Sequence, residues 1–96
     1  MLVVVSYDVS TTTKEGRRRL RKVAKECLNW GQRVQNSVFE CVVDAGQWAQ
    51  LRHALLAIYE PTEDSLRFYF LGNRWRERFE HYGTKRIADL EAPLLV

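Results

Sequence analysis

The sequence predicts an α+β sandwich with two helices packed on one face of a four-stranded antiparallel sheet. Three observations predict it. Apolar, β-branched runs alternate with stretches of helical spacing, in the order strand, helix, strand, strand, helix, strand. At 96 residues there is room for one domain only. An apolar share of 46% excludes a disordered chain. The reading is a single domain over residues 1–96, with a core at 1–72 and a C-terminal dimerisation strand and tail at 73–96.

Leu2–Asp8 is the first element. Its valines favour extended backbone, and a nearly unbroken apolar run suits a central strand. The strand ends in Tyr7-Asp8, which delivers a carboxylate to a sheet edge or cleft. An acid in that position also serves as a turn or helix-cap residue, so the pattern alone leaves both roles open.

Ser10–Thr13 is a polar loop leading into a helix. Thr12 with Glu15 three residues on reads as a capping box. Leu20, Val23, Ala24, Cys27 and Leu28 form the buried stripe, and Gly31 is expected to stop the helix in left-handed conformation. Gln32–Val43 reads as a hairpin turning at Asn36-Ser37, with Phe39, Cys41 and Val43 on one face and Val38, Glu40 and Val42 on the other. Asp44 and Gln47 cap a second helix, which buries Trp48, Leu51, Leu55, Ile58 and Tyr59 and ends at Pro61. Ser65–Leu71 is an aromatic fourth strand broken by Gly72-Asn73. The order βαββαβ gives a ferredoxin-like sandwich.

Such a layout leaves one sheet face bare, and its residues are too apolar to stay wet. Arg76–Tyr82 alternates like a fifth short strand, Gly83-Thr84-Lys85 turns out of it, and the tail Ile87–Val96 is apolar. These features predict a two-fold homodimer with sheets face to face.

No apolar run is long enough to cross a membrane and no signal-peptide pattern opens the chain, so a cytoplasmic protein is expected. Cys27 and Cys41 lack zinc-ligand spacing and read as core hydrophobes. His53 and His81 lack a nucleophile at recognisable spacing, and the glycines lack a phosphate-loop fingerprint.

Two features remain for chemistry. A single Asp8 carboxylate is a poor magnesium site, but a two-fold axis at the strand end would bring two together. The shared cation would suit phosphodiester hydrolysis, by activating water and offsetting phosphate charge. The second feature is the first helix. Arg17, Arg18, Arg19, Arg21, Lys22 and Lys25 crowd into one stretch with no acid between them, although the net charge is only +3. A solvated face is the bland reading; the uncompensated repulsion favours a nucleic-acid backbone, with Arg33 extending the surface.

The segments Val3-Val-Val-Ser-Tyr-Asp8-Val and Arg33-Val-Gln-Asn-Ser-Val-Phe39-Glu40, with Leu71-Gly-Asn73 and the Asp89–Leu94 tail, are similar to a known family. The chain resembles the small CRISPR-associated adaptation protein that accompanies the spacer integrase. The resemblance implies a ferredoxin-like homodimer whose C-terminal strand extends the partner's sheet. It also implies magnesium, or manganese, bound by Asp8 of both protomers, and endonuclease activity on RNA or double-stranded DNA. Tyr7 is implied as a catalytic neighbour, Arg33 and Phe39 lie near the site, and Arg17, Arg19 and Arg21 are candidate nucleic-acid contacts. The alternative it implies is a non-catalytic scaffold that holds protospacer duplex and bridges CRISPR integrase subunits. An RNA-binding module of the same topology is disfavoured, because Ser37–Val43 lacks paired exposed aromatics for stacking bases.

Overall fold

The structure is a computed structural model and describes residues 1–83. Its elements are β1 (Leu2–Asp8), α1 (Lys14–Leu28), β2 (Gly31–Gln35), β3 (Val38–Val42), α2 (Ala45–Ile58), β4 (Ser65–Gly72) and a 3-10 turn at Trp75–Arg78. The sheet order is β2-β3-β1-β4 with antiparallel pairing throughout, the ferredoxin-like arrangement that the element order predicts. The valine-rich first strand is therefore central, hydrogen-bonded on both sides.

The period of two decides which face each strand residue serves. Val3, Val5, Tyr7, Val9, Phe39, Cys41 and Val43 point toward the helices, where Val23, Cys27, Leu51 and Leu55 complete one buried cluster. Trp48 packs on its margin, edge-on to Phe68 and Phe70 at 4.8 and 5.4 Å between ring centroids. Both cysteines are free thiols enclosed in this core, and burial pushes each up to about 12. They act as small hydrophobes.

Caps follow the local chemistry with one shift. Thr13, not Thr12, is the N-cap of α1, its hydroxyl accepting from the Gly16 amide. Gly16 permits this entry because a Cβ there would lie 1.9 Å from the Ser10 carbonyl oxygen. On α2 the Asp44–Gln47 capping box forms in both directions.

Two expectations fail for definable reasons. Gly31 does not stop α1 in left-handed conformation: Asn29 is the C-cap in right-handed geometry, and Gly31 opens β2. Its glycine is required by close approach, since a Cβ would sit 2.1 Å from the Glu40 carbonyl oxygen and 2.7 Å from Cys41 Sγ. Gly31→Ala is expected to destabilise the fold by about 1–3 kcal/mol, the usual cost of overpacking, read as a lower urea midpoint at unchanged m-value.

The second failure is the fifth strand. Within the described chain, Trp75–Arg78 forms a 3-10 turn in place of the start of a strand over Arg76–Tyr82. Gly72 turns the chain at φ +75°, after which Trp75 becomes buried and packs edge-on against Phe79. The Arg74–Glu77 ion pair at 2.8 Å then closes one turn rather than an extended run. Alternation is also produced by charges flanking a single buried anchor. The turn over Gly83-Thr84-Lys85 and the tail Ile87–Val96 reach beyond the described residues.

A candidate half-site on the uncovered sheet face

The face of the sheet away from the helices presents Leu2, Val4, Ser6, Asp8, Val38, Glu40, Val42, Ser65, Arg67, Tyr69 and Leu71 by parity and register, and Leu2, at the end remote from Asp8, is fully buried. Neither α1 nor α2 covers this face, since both pack on the opposite one. Tyr69 is 49% exposed, and Val4, Val38, Val42 and Leu71 are only half-buried. An apolar surface of this kind, rimmed by charge, is typical of an interaction face.

Asp8 is the exposed last residue of β1 on this face. It lies opposite Ser65 of β4, and Ser6 lies opposite Arg67. Ser6, Tyr7, Asp8, Ser65 and Arg67 border an open cleft of about 200 Å³. A carboxylate at the end of a doubly paired central strand stands on rigid scaffolding and still meets solvent.

The cleft offers oxygen donors: the Asp8 carboxylate and the hydroxyls of Ser6 and Ser65. That chemistry suits a hard divalent cation, which takes oxygen ligands and keeps several waters. Among the described residues, however, no three acids, histidines or cysteines cluster to hold a metal. Among the residues that line the cleft, Asp8 is the one acid.

Tyr7 projects to the other side. Its ring is buried, its hydroxyl donates to the Asn36 carbonyl at 3.2 Å, and burial, helped by Cys27, raises the phenol above its ordinary value while Arg33 draws it down. The sequence expects a catalytic Tyr7; here the phenol is a neutral core group, separated from the Asp8 carboxylate by the sheet. Phe39 stacks on it at 6.2 Å, and the exposed Arg33 guanidinium covers the Phe39 ring at 5.2 Å. Tyr7, Phe39 and Arg33 therefore form a column that backs the strand end from the helix side.

The basic helix divides in two. Lys14, Arg17, Arg18, Arg21, Lys22 and Lys25 are exposed on the side of α1 opposite the buried Gly16, Val23 and Cys27. Arg19 turns inward. Its Nε meets Asp64 Oδ2 at 2.7 Å and its Nη2 meets Glu63 at 3.2 Å, leaving the side chain 16% exposed. As a nucleic-acid contact, Arg19 is corrected to an internal ion-pair partner. Its period-3.6 position beside the core would have flagged it, but the partner lies 45 residues away.

Sequence reasoning also passed over Ser65, Arg67 and Asp64. Arg67 could have been found from the alternation Leu66-Arg67-Phe68, although only the β1–β4 register shows that it shares a cleft with Asp8.

Fold and site together define a small ferredoxin-like α+β protein that presents one strand-end acid on a bare sheet face and carries cations on its outer helix. Residues 1–79 match the profile of the family described as CRISPR associated protein Cas2. The chain is 59% identical to the CRISPR-associated endoribonuclease Cas2 of Chlorobaculum tepidum, over 100% of both chains. It is 53% identical to the CRISPR-associated endonuclease Cas2 of Halalkalibacterium halodurans, over 99% of each. The crystal structure of Streptococcus pyogenes Cas2 at pH 6.5 superposes with a TM-score of 0.74 at 52% identity, covering 86% of this chain and 100% of that one. The chain belongs to the CRISPR-associated Cas2 family. No helix among the described residues is long and apolar enough to cross a membrane.

Proposed function

We propose that this protein acts in CRISPR spacer acquisition as a cytoplasmic homodimer. In this reading it hydrolyses phosphodiester bonds of RNA or double-stranded DNA with magnesium, or manganese, held between the Asp8 carboxylates of two protomers. The observation that carries the reading is Asp8 itself: one exposed acid on an uncovered apolar face, at the end of the central strand. A two-fold axis on that face would bury the apolar residues and pair the acids at once. Curated relatives named endoribonuclease and endonuclease support the activity, and their names span both substrate types.

The metal would lower the pKa of a bound water and offset charge on the phosphate. Asp8 serves as its anionic ligand. The Tyr7–Phe39–Arg33 column keeps the β1 end rigid from behind, with the Tyr7 amide donating to the Ser37 carbonyl at 3.1 Å. A rigid strand end limits the spread of carboxylate positions, which hydrolysis by a positioned water requires.

A second reading, a scaffold that holds protospacer duplex and bridges integrase subunits, is favoured by one further observation. The six exposed cations of α1 lie on the helix layer, on the opposite side of the protomer from the Asp8 cleft. Holding a duplex and cleaving one would then use different surfaces, and the two functions separate by mutation. The triple variant Arg17→Glu, Arg21→Glu, Lys25→Glu is expected to weaken duplex binding. It should also flatten the salt dependence by roughly 0.9 in log–log slope for each phosphate that is no longer neutralised. Cleavage at saturating substrate should persist and should stop on chelation of the magnesium. An unchanged salt slope would reduce the stripe to a solvated face. Cleavage that survives chelation would remove the metal.

A further inference from the structure

Arg67 shares the Asp8 cleft and has no role in the fold. Ser6 pairs with Arg67 and Asp8 with Ser65, so Arg67 stands on the same face of the sheet, one diagonal step from the acid. Its side chain is exposed and makes no ion pair or hydrogen bond among the described residues. Other arginines are engaged: Arg19 by Asp64 and Glu63, Arg74 by Glu77, Arg78 by the Leu71 carbonyl. Asp8 is the nearest acid along the cleft, yet the two form no bridge within 4.0 Å. Apolar neighbours, Tyr69 and Leu71, continue the same face along β4. Once a second copy covers that face, an unpaired guanidinium there would be expensive unless an anion met it.

We propose that Arg67 is the phosphate-binding residue of this cleft. The proposal rests on the reading of Asp8 as a nuclease half-site. The planar guanidinium fork matches two non-bridging phosphate oxygens bidentately, which a lysine ammonium cannot do. Asp8 and Arg67 then divide the work: the acid holds the cation side and the arginine takes the phosphate. In the step itself a water oxygen forms a bond to phosphorus and the bond from phosphorus to one sugar oxygen breaks. The water's proton passes through solvent to the leaving oxygen, giving a phosphomonoester and an alcohol with no change of oxidation state. Negative charge builds on the two oxygens held by Arg67, so its contact strengthens toward the transition state.

The test compares Arg67→Ala, Arg67→Lys and Asp8→Ala with the full-length wild type on fluorescein-labelled duplex DNA and single-stranded RNA. Three quantities are read: the single-turnover rate at saturating protein, the duplex Kd without divalent cation, and the thermal midpoint. Arg67→Ala is expected to lower the rate about 100-fold, the scale of removing one donor aimed at developing charge. Its Kd should stay within threefold, because the α1 stripe supplies most of the binding, and its midpoint should not move. Arg67→Lys should recover part of the rate by restoring charge without the fork. Arg67→Ala cleaving within threefold of wild type, beside an inactive Asp8→Ala, overturns Arg67 alone. A slower rate accompanied by a fallen midpoint also overturns it. Wild-type speed in Asp8→Ala, or no cleavage by wild type, overturns the nuclease reading and this proposal with it.

Discussion

Asp8→Ala is expected to reduce magnesium-dependent cleavage by at least about 100-fold while leaving duplex affinity within a few-fold of wild type. The magnitude follows from the arithmetic of the half-site. Each protomer contributes a single carboxylate to the cleft, and no cluster of acids stands behind it among the described residues. In the proposed dimer, its removal would take both anionic ligands away at once. A cation left with serine hydroxyls and water would bind weakly, and the charge it offsets in the transition state would go unanswered. Affinity is expected to survive because Arg17, Arg18, Arg21, Lys22 and Lys25 are carried by α1 on the helix layer, whereas Asp8 belongs to the opposite face of the sheet. Asp8 is exposed and its side chain makes no hydrogen bond among the described residues. Alanine there leaves no partner unsatisfied, and the fold should keep its thermal midpoint. The measurement is a single-turnover cleavage assay of contaminant-free Asp8→Ala beside a filter-binding titration. Cleavage at the wild-type rate would end the catalytic assignment; a parallel collapse of affinity would mean that Asp8 acts in binding instead.

Local rules made most of the fold legible. The valine run of β1, the Asp44–Gln47 box and the α1 stripe at Leu20, Val23, Ala24 and Cys27 each depend on near neighbours in sequence and formed as expected, but Leu28, read into the same stripe, is 52% exposed at the helix end. The hairpin at Asn36-Ser37 and the sidedness of β3 followed from period two. What escaped depends on pairing between distant segments. That Asp8 faces Ser65 and Arg67 is a fact of register between β1 and β4. That Tyr7 and Asp8 belong to opposite faces was implicit in strand alternation, but their adjacency in the motif invites reading them as one site. Gly31 looked like a helix stop because it follows α1, whereas its smallness is required by the β3 backbone opposite. Arg19 could not be separated from Arg17 and Arg21 by charge alone. Its separation came from Asp64.

Asp64→Ala is expected to be the most destabilising single substitution outside the apolar core, by about 3 kcal/mol. Its carboxylate is fully enclosed and accepts four hydrogen bonds: from the Ser10 amide at 3.0 Å, the Glu60 amide at 2.9 Å, and Arg19 at 2.7 and 3.3 Å. One residue thus ties the loop after β1 and the loop before β4 to helix α1. Alanine would strand two amides and leave the Arg19 guanidinium with Glu63 alone, and breaking a buried pair from one side costs about 3–5 kcal/mol. Arg19 keeps some exposure, and water reaching it pulls the figure to the lower end. In a domain of this size that corresponds to a thermal midpoint lowered by roughly 15 °C. The pH dependence has a definite sign. Burial alone would raise the carboxyl above its ordinary 3.8, but the Arg19 hydrogen bond, the Glu60 and Ser10 amides and the Arg19 charge outweigh it and hold it lower. The folded state therefore binds this proton less readily than the unfolded chain. Its contribution is complete above the ordinary carboxylate value and is lost as pH falls through the depressed one. Asp64→Asn should keep part of the hydrogen bonding and lose that acid-side slope. Urea titrations of wild type and Asp64→Asn between pH 7 and pH 3 read it directly: the stability gap between them should narrow as pH falls below about 4. A gap that stays constant across the range would mean that Asp64 titrates normally and that Arg19 contributes nothing to holding the two loops.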